Sequence, residues 1–348
     1  MPYYTSADSD VSVATHGQLT AWRNAGVKLA TGECITMDTF LSCTITLPNP
    51  VTSRFGKQGK WVKGRNTIGR TRGGYYGTHR LQTVQFCWWI MQTTAPTTEG
   101  VPASYNTHAI TILESHTPKN LGIHFQQKLT SEDIFWDLLG LLPSRLSISC
   151  SEKDVIARQE IEIPFSFAQT SGDDFEKSDR AEGTTGTITK NWSHAVTGGL
   201  GAGQSALLYN TASTECDIVG FRIVLTRGKS FHANDTNYYP TVGQLNDLDY
   251  YVELDVLTTG AALRAIMATE KEEYTGDLDL TFSLTADATN DKITFAFDKM
   301  YLVPQDKVLD AADFTPEQLT ITLEPLDENS SLTVTGIDSL DDDHYENP

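Results

Sequence analysis

Hydrophobic and polar residues alternate along much of this chain. The clearest example is the segment QEIEIPFSF, which runs from residue 159 to residue 167. In an extended backbone, Ile161, Ile163, Phe165 and Phe167 share one side, and most of the residues between them are polar. A period of two is typical of a strand with one buried and one exposed face.

The same pattern, or a short apolar run bounded by turn residues, predicts strands through most of the sequence. The predicted strands are Phe40–Leu47, Leu81–Met91, His108–Glu114, Leu121–Lys128, Leu142–Cys150, Gln159–Phe167, Ile218–Arg227, Leu248–Leu257, Leu278–Thr285, Lys292–Val303 and Gln318–Glu324. Two helices are also predicted. Ser131–Leu139 opens with a capping residue and early acidic residues and ends at Gly140. Thr259–Tyr274 has apolar residues at helical spacing. This content predicts a mainly β, antiparallel architecture with one or two flanking helices.

The order of these segments suggests a domain plan. We expect an N-terminal arm (1–33), a first β unit (34–168) with a long Gly-rich loop (48–80), a Gly/Ser/Thr-rich excursion or linker (169–214), a second β unit (215–326) and a mobile acidic tail (327–348). The two β units share an order of signals, which favours a tandem duplication. The alternative is the general similarity among β-rich sequences.

Charge is distributed unevenly over the 348 residues, whose net charge is -19. Residues 1–170 hold 15 basic and 13 acidic residues, whereas the remainder holds 11 and 32. Such an acidic surface argues against tight binding to a phosphate backbone, although nucleic acid that merely slides past is compatible with it. Solubility alone, or an origin in a salty medium, explains the excess equally well.

No constellation of catalytic or metal-binding residues stands out. The five cysteines form no CxxC pair, so we expect buried, reduced thiols. His79, His108, His116 and His124 lack a completed ligand set. Acidic groups at 310–317 and 341–343 lack calcium-loop spacing. We therefore expect no enzyme activity and no cofactor. The N-terminus does not resemble a signal peptide and no apolar run is long enough for a membrane helix, so we expect a soluble protein made in the cytoplasm.

A basic segment is the most informative local feature. Residues 54–80 contain no acid and interleave glycines and the aromatic residues Trp61, Tyr75 and Tyr76. The basic residues are Arg54, Lys57, Lys60, Lys63, Arg65, Arg70, Arg72 and Arg80. Three interpretations remain open: docking onto an acidic face of another copy, contact with nucleic acid, and a solvated loop.

Several segments resemble the tail tube proteins of long-tailed viruses. In that family a Pro-marked strand, a short Trp- or Leu-Gly-containing stretch, an S-x-S/T-I-S strand, a turn and an alternating strand follow one another. The matching segments here are 116–118, 121–125, 136–140, 145–149 (RLSIS), 151–154 and 161–167, and in the second half 221–227, 238–243 and 293–303. The resemblance covers residues 34–326 and lies in pattern; the basic loop and the excursion at 169–211 are not part of it.

The resemblance implies a β-sandwich or split barrel whose copies close into rings. Three chains make a ring if the duplication is real, and otherwise six. Stacked rings would form the tail tube of a virion, with loops and arms joining the rings. Apart from the resemblance, we expect the basic residues above to be inter-ring contacts. The implied partners are further copies, other tail proteins such as a terminator and baseplate, and DNA passing without sequence-specific binding; no membrane is implied. The alternatives are another tail, baseplate or capsid-decoration protein, and a carbohydrate-binding β-sandwich with exposed aromatics Trp61, Tyr75, Tyr76, Tyr238 and Tyr239.

Overall fold

The fold is mainly β. A computed structural model describes residues 10–15, 35–37, 42–54, 65–81, 83–91, 97–101, 105–112, 121–128, 133–151, 157–171, 192–195, 216–232, 242–258, 275–283, 292–303 and 317–338. The first-half strands are β1 (Asp10–Thr15), β2 (Ile35–Met37), β3 (Ser42–Thr46), β4 (Pro50–Arg54), β5 (Arg65–Arg70), β6 (Gly73–Arg80), β7 (Thr97–Val101), β8 (Tyr105–Thr111), β9 (Leu121–Lys128), β10 (Asp133–Leu141), β11 (Arg145–Ser151) and β12 (Arg158–Ser171). The later strands are β13 (Trp192–Ala195), β14 (Cys216–His232), β15 (Val242–Thr258), β16 (Thr275–Ser283), β17 (Lys292–Leu302), β18 (Glu317–Pro325) and β19 (Ser331–Asp338). Within the described residues there is one helix, α1 (Gln85–Met91).

All ladders among the described strands are antiparallel. The central strands of the sheet pair in the order β3, β6, β12, β11, β14, β15, β18, β17. Strand β17 also pairs with β16 and β19, and β19 in turn pairs with β8. Followed strand by strand, these ladders branch but do not return to their start, so the described part of the sheet is open. Strands β4 and β5 stand apart as a two-stranded ribbon.

A bulge between β10 and β11 lets these consecutive strands share one edge of β12 while their other edges pair with different strands. Strands β10 and β11 pair successively with the same edge of β12, and Leu141↔Phe165 is followed by Arg145↔Glu162. Three residues thus face two across the ladder, which bends the strand. The amides of Leu142 and Ser144 still donate to β12 carbonyls. On their other edges, β10 pairs with β9 and β11 pairs with β14.

The core lies on the inner face of the sheet, around α1. Every residue of α1 is buried, and the helix contacts β8, β11 and β14. Because β8 and β11 are several ladders apart, the sheet must curve around the helix. Inward residues such as Ile148, Ile223 and Val252, at alternate positions of their strands, complete the core.

Helix formation in 81–91 corrects one prediction. The segment was expected to be a strand, but Gln85–Met91 are helical. The amide of Gln85 donates to Thr83 Oγ1 (3.2 Å) and the amide of Trp88 to the Val84 carbonyl (2.9 Å), so the first turn is capped. A continuous apolar run fits a helix buried on all sides as well as a buried strand.

The helix expected at Ser131–Leu139 is likewise wrong. Residues Asp133–Leu141 form β10, which pairs with β9 on one edge and β12 on the other. Two hydrogen-bonded edges and the burial of Leu138 and Leu139 override the local capping signal. The other expected helix, at 259–274, lies outside the described residues.

Ladders cross the expected domain boundaries, since β11 pairs with β14 and β8 with β19. Described strands of the first and second β units therefore belong to one sheet. Residues Ser331–Asp338, expected in a mobile tail, form β19 between β17 and β8. The expected loop at 48–80 contains β4, β5 and β6, and the excursion supplies β13, which pairs with β16.

Candidate interaction surfaces

The outward side of the sheet is a continuous polar face. Six neighbouring strands (β6, β12, β11, β14, β15 and β18) bury alternate residues and turn most of the intervening ones outward; Ser147, Pro164 and Val224 are buried exceptions. One row across this face joins Tyr76, Glu162, Arg145, Thr226 and Asp249 in ladder register. We call the outward residues of these six strands the polar face.

Charge on the polar face changes from one side to the other. On β11 and β14, Arg145 and Arg222 lie on the same face as Glu160 and Glu162 of β12. Arg222 donates to Ser147 Oγ (3.1 Å) and pairs with Glu253 of β15 (3.3 Å). Strands β15 and β18 carry no basic residue at all, and Asp255 there accepts a hydrogen bond from Thr320 (2.7 Å). The β15–β18 side of the face is therefore acidic.

A groove opens where β15 continues beyond its last ladder pair with β18, Val252↔Leu323. It has a volume of about 900 Å³ and lies between β15, the end of β18 and the β18–β19 turn. Its floor includes Ile112, Leu248 and Tyr250. Its five carboxylates are Asp247, Asp249, Glu324, Asp327 and Glu328, and no basic residue lines it. We call this the acidic groove.

The turn on one side of the acidic groove is held firmly. Ser330 Oγ accepts the amides of Leu326 (3.0 Å) and Asp327 (3.1 Å) and donates to the Lys299 carbonyl (3.0 Å). Asp327 Oδ1 accepts the Asn329 amide (2.8 Å). Lys299 adopts a left-handed conformation with φ 55°, which presents its carbonyl to the turn. The carboxylates of this turn are thus carried on a braced backbone.

Two tyrosines, Tyr301 and Tyr250, affect the hydrogen bonding and charge of the acidic groove. Tyr301 donates from its hydroxyl to Glu324 (2.7 Å), which fixes that carboxylate. Burial, with the negative charge of Asp298 as a second cause, raises the pKa of Tyr250 to about 12, so this phenol stays neutral. The groove therefore combines an apolar floor with a rim of fixed and exposed acids.

Part of the predicted basic site lies on the β4–β5 ribbon. Arg54 stands opposite Arg65 in its ladder, and Arg70 stands opposite Pro50 at its base. Thr71 and Asn49 tie the base together, because the Thr71 amide donates to the Asn49 carbonyl (2.8 Å) and the Asn49 amide to Thr71 Oγ1 (2.9 Å). We call strands β4 and β5 the basic ribbon.

The remaining predicted residues are spread out. Arg72 is exposed between the ribbon and β6. Arg80 ends β6, seven residues beyond Gly73, and is half-buried beside Arg158 in the ladder. Strand geometry places it ~23 Å from the ribbon end of β6. The structure thus separates Arg80 from the ribbon, and Lys57, Lys60 and Lys63 lie outside the described residues.

Buried polar clusters hold the inner side together. His79 Nε2 and the Tyr75 hydroxyl are 2.7 Å apart, and burial lowers the pKa of His79 to about 3. His108 Nε2 contacts Asp338 Oδ1 at 3.0 Å, linking β8 to β19. Tyr75 was expected to be an exposed aromatic, but it is fully buried, whereas Tyr76 is 45% exposed. Of the cysteines, Cys87 and Cys150 are buried and reduced, and Cys43 is partly buried and reduced.

Arg227 is a buried cation that sequence reasoning missed. It sits on β14 in the inward phase, and its Nη1 donates to the carbonyls of Ile90 (2.7 Å) and Met91 (2.8 Å) at the end of α1. Burial lowers the pKa of Arg227 to about 10, with Asp247 opposing this shift. The guanidinium therefore remains charged at neutral pH and caps the helix C-terminus. Its only sequence signal was a basic residue at an inward position of a predicted strand.

Comparison with known proteins gives no assignment, since neither a protein family nor a curated relative matches the chain. Within the described residues, no cluster of three or more His, Cys, Asp or Glu side chains is arranged to hold a metal ion. No helix in that part of the chain is long and apolar enough to cross a membrane.

Proposed function

We propose that this chain is the structural subunit of a viral tail tube, which self-assembles into stacked rings around a channel for DNA. The observation that carries the proposal is the polar face, a broad wall of six neighbouring strands with an acidic side on β15 and β18. Its acidic side suits a channel wall, because negative charge on β15 and β18 repels the phosphate backbone and these two strands carry no basic residue that would hold it.

The sheet edges support assembly between copies. Within the described residues, β3, β7 and β13 each pair along one edge only. An unpaired edge is a template for another strand, and proteins cover or close such edges. Pairing between copies would close them within a ring. The resemblance of residues 34–326 to tail tube proteins points to the same arrangement.

The mass of the assembled particle tests the proposal. Light scattering coupled to size exclusion, over a range of protein concentrations, should give a discrete species of three or six chains of 38.4 kDa. Larger multiples should appear as the concentration rises, because rings then stack. A stable monomer at every concentration would contradict the proposal.

A carbohydrate-binding module is the second candidate, supported by the exposed Tyr76 on the polar face. Its hydroxyl donates to Glu160 (3.4 Å), an arrangement of an aromatic face beside a carboxylate that suits a sugar ring. Glycan binding that disappears in Tyr76→Ala, by a protein that remains a small oligomer, would favour this candidate over a tube.

A further inference from the structure

The acidic groove and the basic ribbon belong to one chain and have opposite charge. Five carboxylates line the groove, and the described ribbon carries Arg54, Arg65 and Arg70 with no acid. An isolated two-stranded ribbon is marginally stable in water and gains stability by packing against another surface. Charge complementarity of this kind specifies register between protein partners.

Their positions in the sheet show how two copies would meet. The row from Tyr76 through Glu162 to Asp249 crosses β6, β12, β11, β14 and β15. The ribbon precedes Gly73 and the groove extends from Asp249 towards Asp247, so both lie beyond the same end of this row. Strand β6, which follows the ribbon, and strand β15, which carries part of the groove, are four ladder steps apart, or ~19 Å along the sheet.

We propose that the acidic groove of one copy binds the basic ribbon of a neighbouring copy in the same ring. Rotation about an axis along the strands brings the ribbon of one copy towards the groove of the next, whereas a shift along the strands does not. The contact is heterologous, since different surfaces meet, and such contacts close into rings when the rotation permits. This inference rests on the proposed self-assembly, and it assigns the basic ribbon to contacts within a ring.

Two reciprocal variants of the full chain test the contact. The ribbon variant is Arg54→Glu with Arg65→Glu, which changes two residues that face each other across the ribbon. The groove variant is Asp249→Lys with Glu328→Lys, which changes two exposed acids without touching the bonded Asp327 or Glu324. Each should raise the concentration needed for half-assembly at least about 100-fold, because like charges then meet in the contact.

Complementation gives the sharpest outcome. In an equimolar mixture, the intact ribbon of the groove variant meets the intact groove of the ribbon variant, and the glutamates of the ribbon variant meet the lysines of the groove variant. Both contacts are then complementary, so the mixture should assemble where neither variant assembles alone. A chain carrying all four substitutions should regain assembly, because its reversed charges again complement each other. Matched controls are Arg145→Glu and Glu162→Lys, which reverse charges facing each other on the polar face, and both should assemble as the unchanged chain does.

The outcomes separate this inference from the proposed function. Rings of the unchanged chain that persist in both variants would overturn the groove contact and leave the tube intact. Loss of assembly in the variants without complementation in the mixture would also overturn it. Single rings that no longer stack would place the contact between rings and contradict the arrangement proposed here. If the unchanged chain forms no rings at all, the proposed function fails together with this contact. Circular dichroism should show the same folded spectrum for every variant.

Discussion

Replacing Arg227 by Met should detach α1 from β14 and destabilise the whole chain. Two charge-assisted hydrogen bonds to the Ile90 and Met91 carbonyls are lost, at ~1.5–3 kcal/mol each. Removing a buried cation recovers part of its desolvation cost, which is several kcal/mol for an ion in a protein interior. Met retains the apolar length of the stem, so little cavity forms. The net loss in the free energy of unfolding is about 2–4 kcal/mol.

Urea unfolding measures this loss, and near-UV circular dichroism locates it. Trp88 and Trp89 belong to α1 and are fully buried, so loosening of the helix changes the aromatic signal. Arg227→Lys keeps the charge without the planar fork and should give an intermediate loss. Arg145→Met is the control, because Arg145 is an exposed arginine on the neighbouring strand β11 and its replacement should cost less than ~0.5 kcal/mol. Equal stability of Arg227→Met and Arg145→Met would refute the capping role.

Three further substitutions test the packing and the buried polar groups. Gly73→Ala should cost ~1–3 kcal/mol in urea unfolding, because its Cβ would overlap the Phe165 ring and lie 2.7 Å from the Thr46 carbonyl oxygen. Gly74→Ala has nothing within 4 Å of its Cβ and should be tolerated; equal losses would refute the packing argument. His79 has a pKa lowered from 6.5 to about 3, so the unfolded chain binds a proton there that the folded chain does not. Stability should fall by up to roughly 4 kcal/mol as the pH drops from about 6.5 towards 3, and His79→Gln should flatten that part of the pH profile; an unchanged profile would show that His79 is not its source. Asp338→Ala removes an acceptor from the buried His108 and should cost ~1–3 kcal/mol, whereas Asp327→Ala, in an exposed turn, should cost less.

Alternation predicted many strands well because it reflects burial on one face. The strand expected at Leu121–Lys128 has the same bounds as β9, and the alternating segment from residue 159 lies within β12. The sequence pattern failed to predict the structure where a segment is buried on all sides, or where strand pairing outweighs a local capping signal. Phe86 to Met91 has no polar face to reveal its period, and β10 overrides a capping signal through two ladders.

The interaction surfaces were only partly predictable. The basic segment is contiguous in sequence, so its charge was visible, although its division between a ribbon and β6 was not. The acidic groove joins 247–249 to 324–328, which come together only through the pairing of β15 with β18. The mobile-tail interpretation failed because the acids at 327–328 and 341–343 flank a strand in which Leu332 and Val334 alternate into the core.

Negative-stain electron microscopy of the purified chain at high concentration tests the central claim most directly. The account predicts rings or hollow tubes with a stain-filled channel, and a rotational symmetry that distinguishes three chains from six. A ring of three chains would support a tandem duplication within the chain, and a ring of six would contradict it. Uniform, unassembled particles at every concentration would contradict the account.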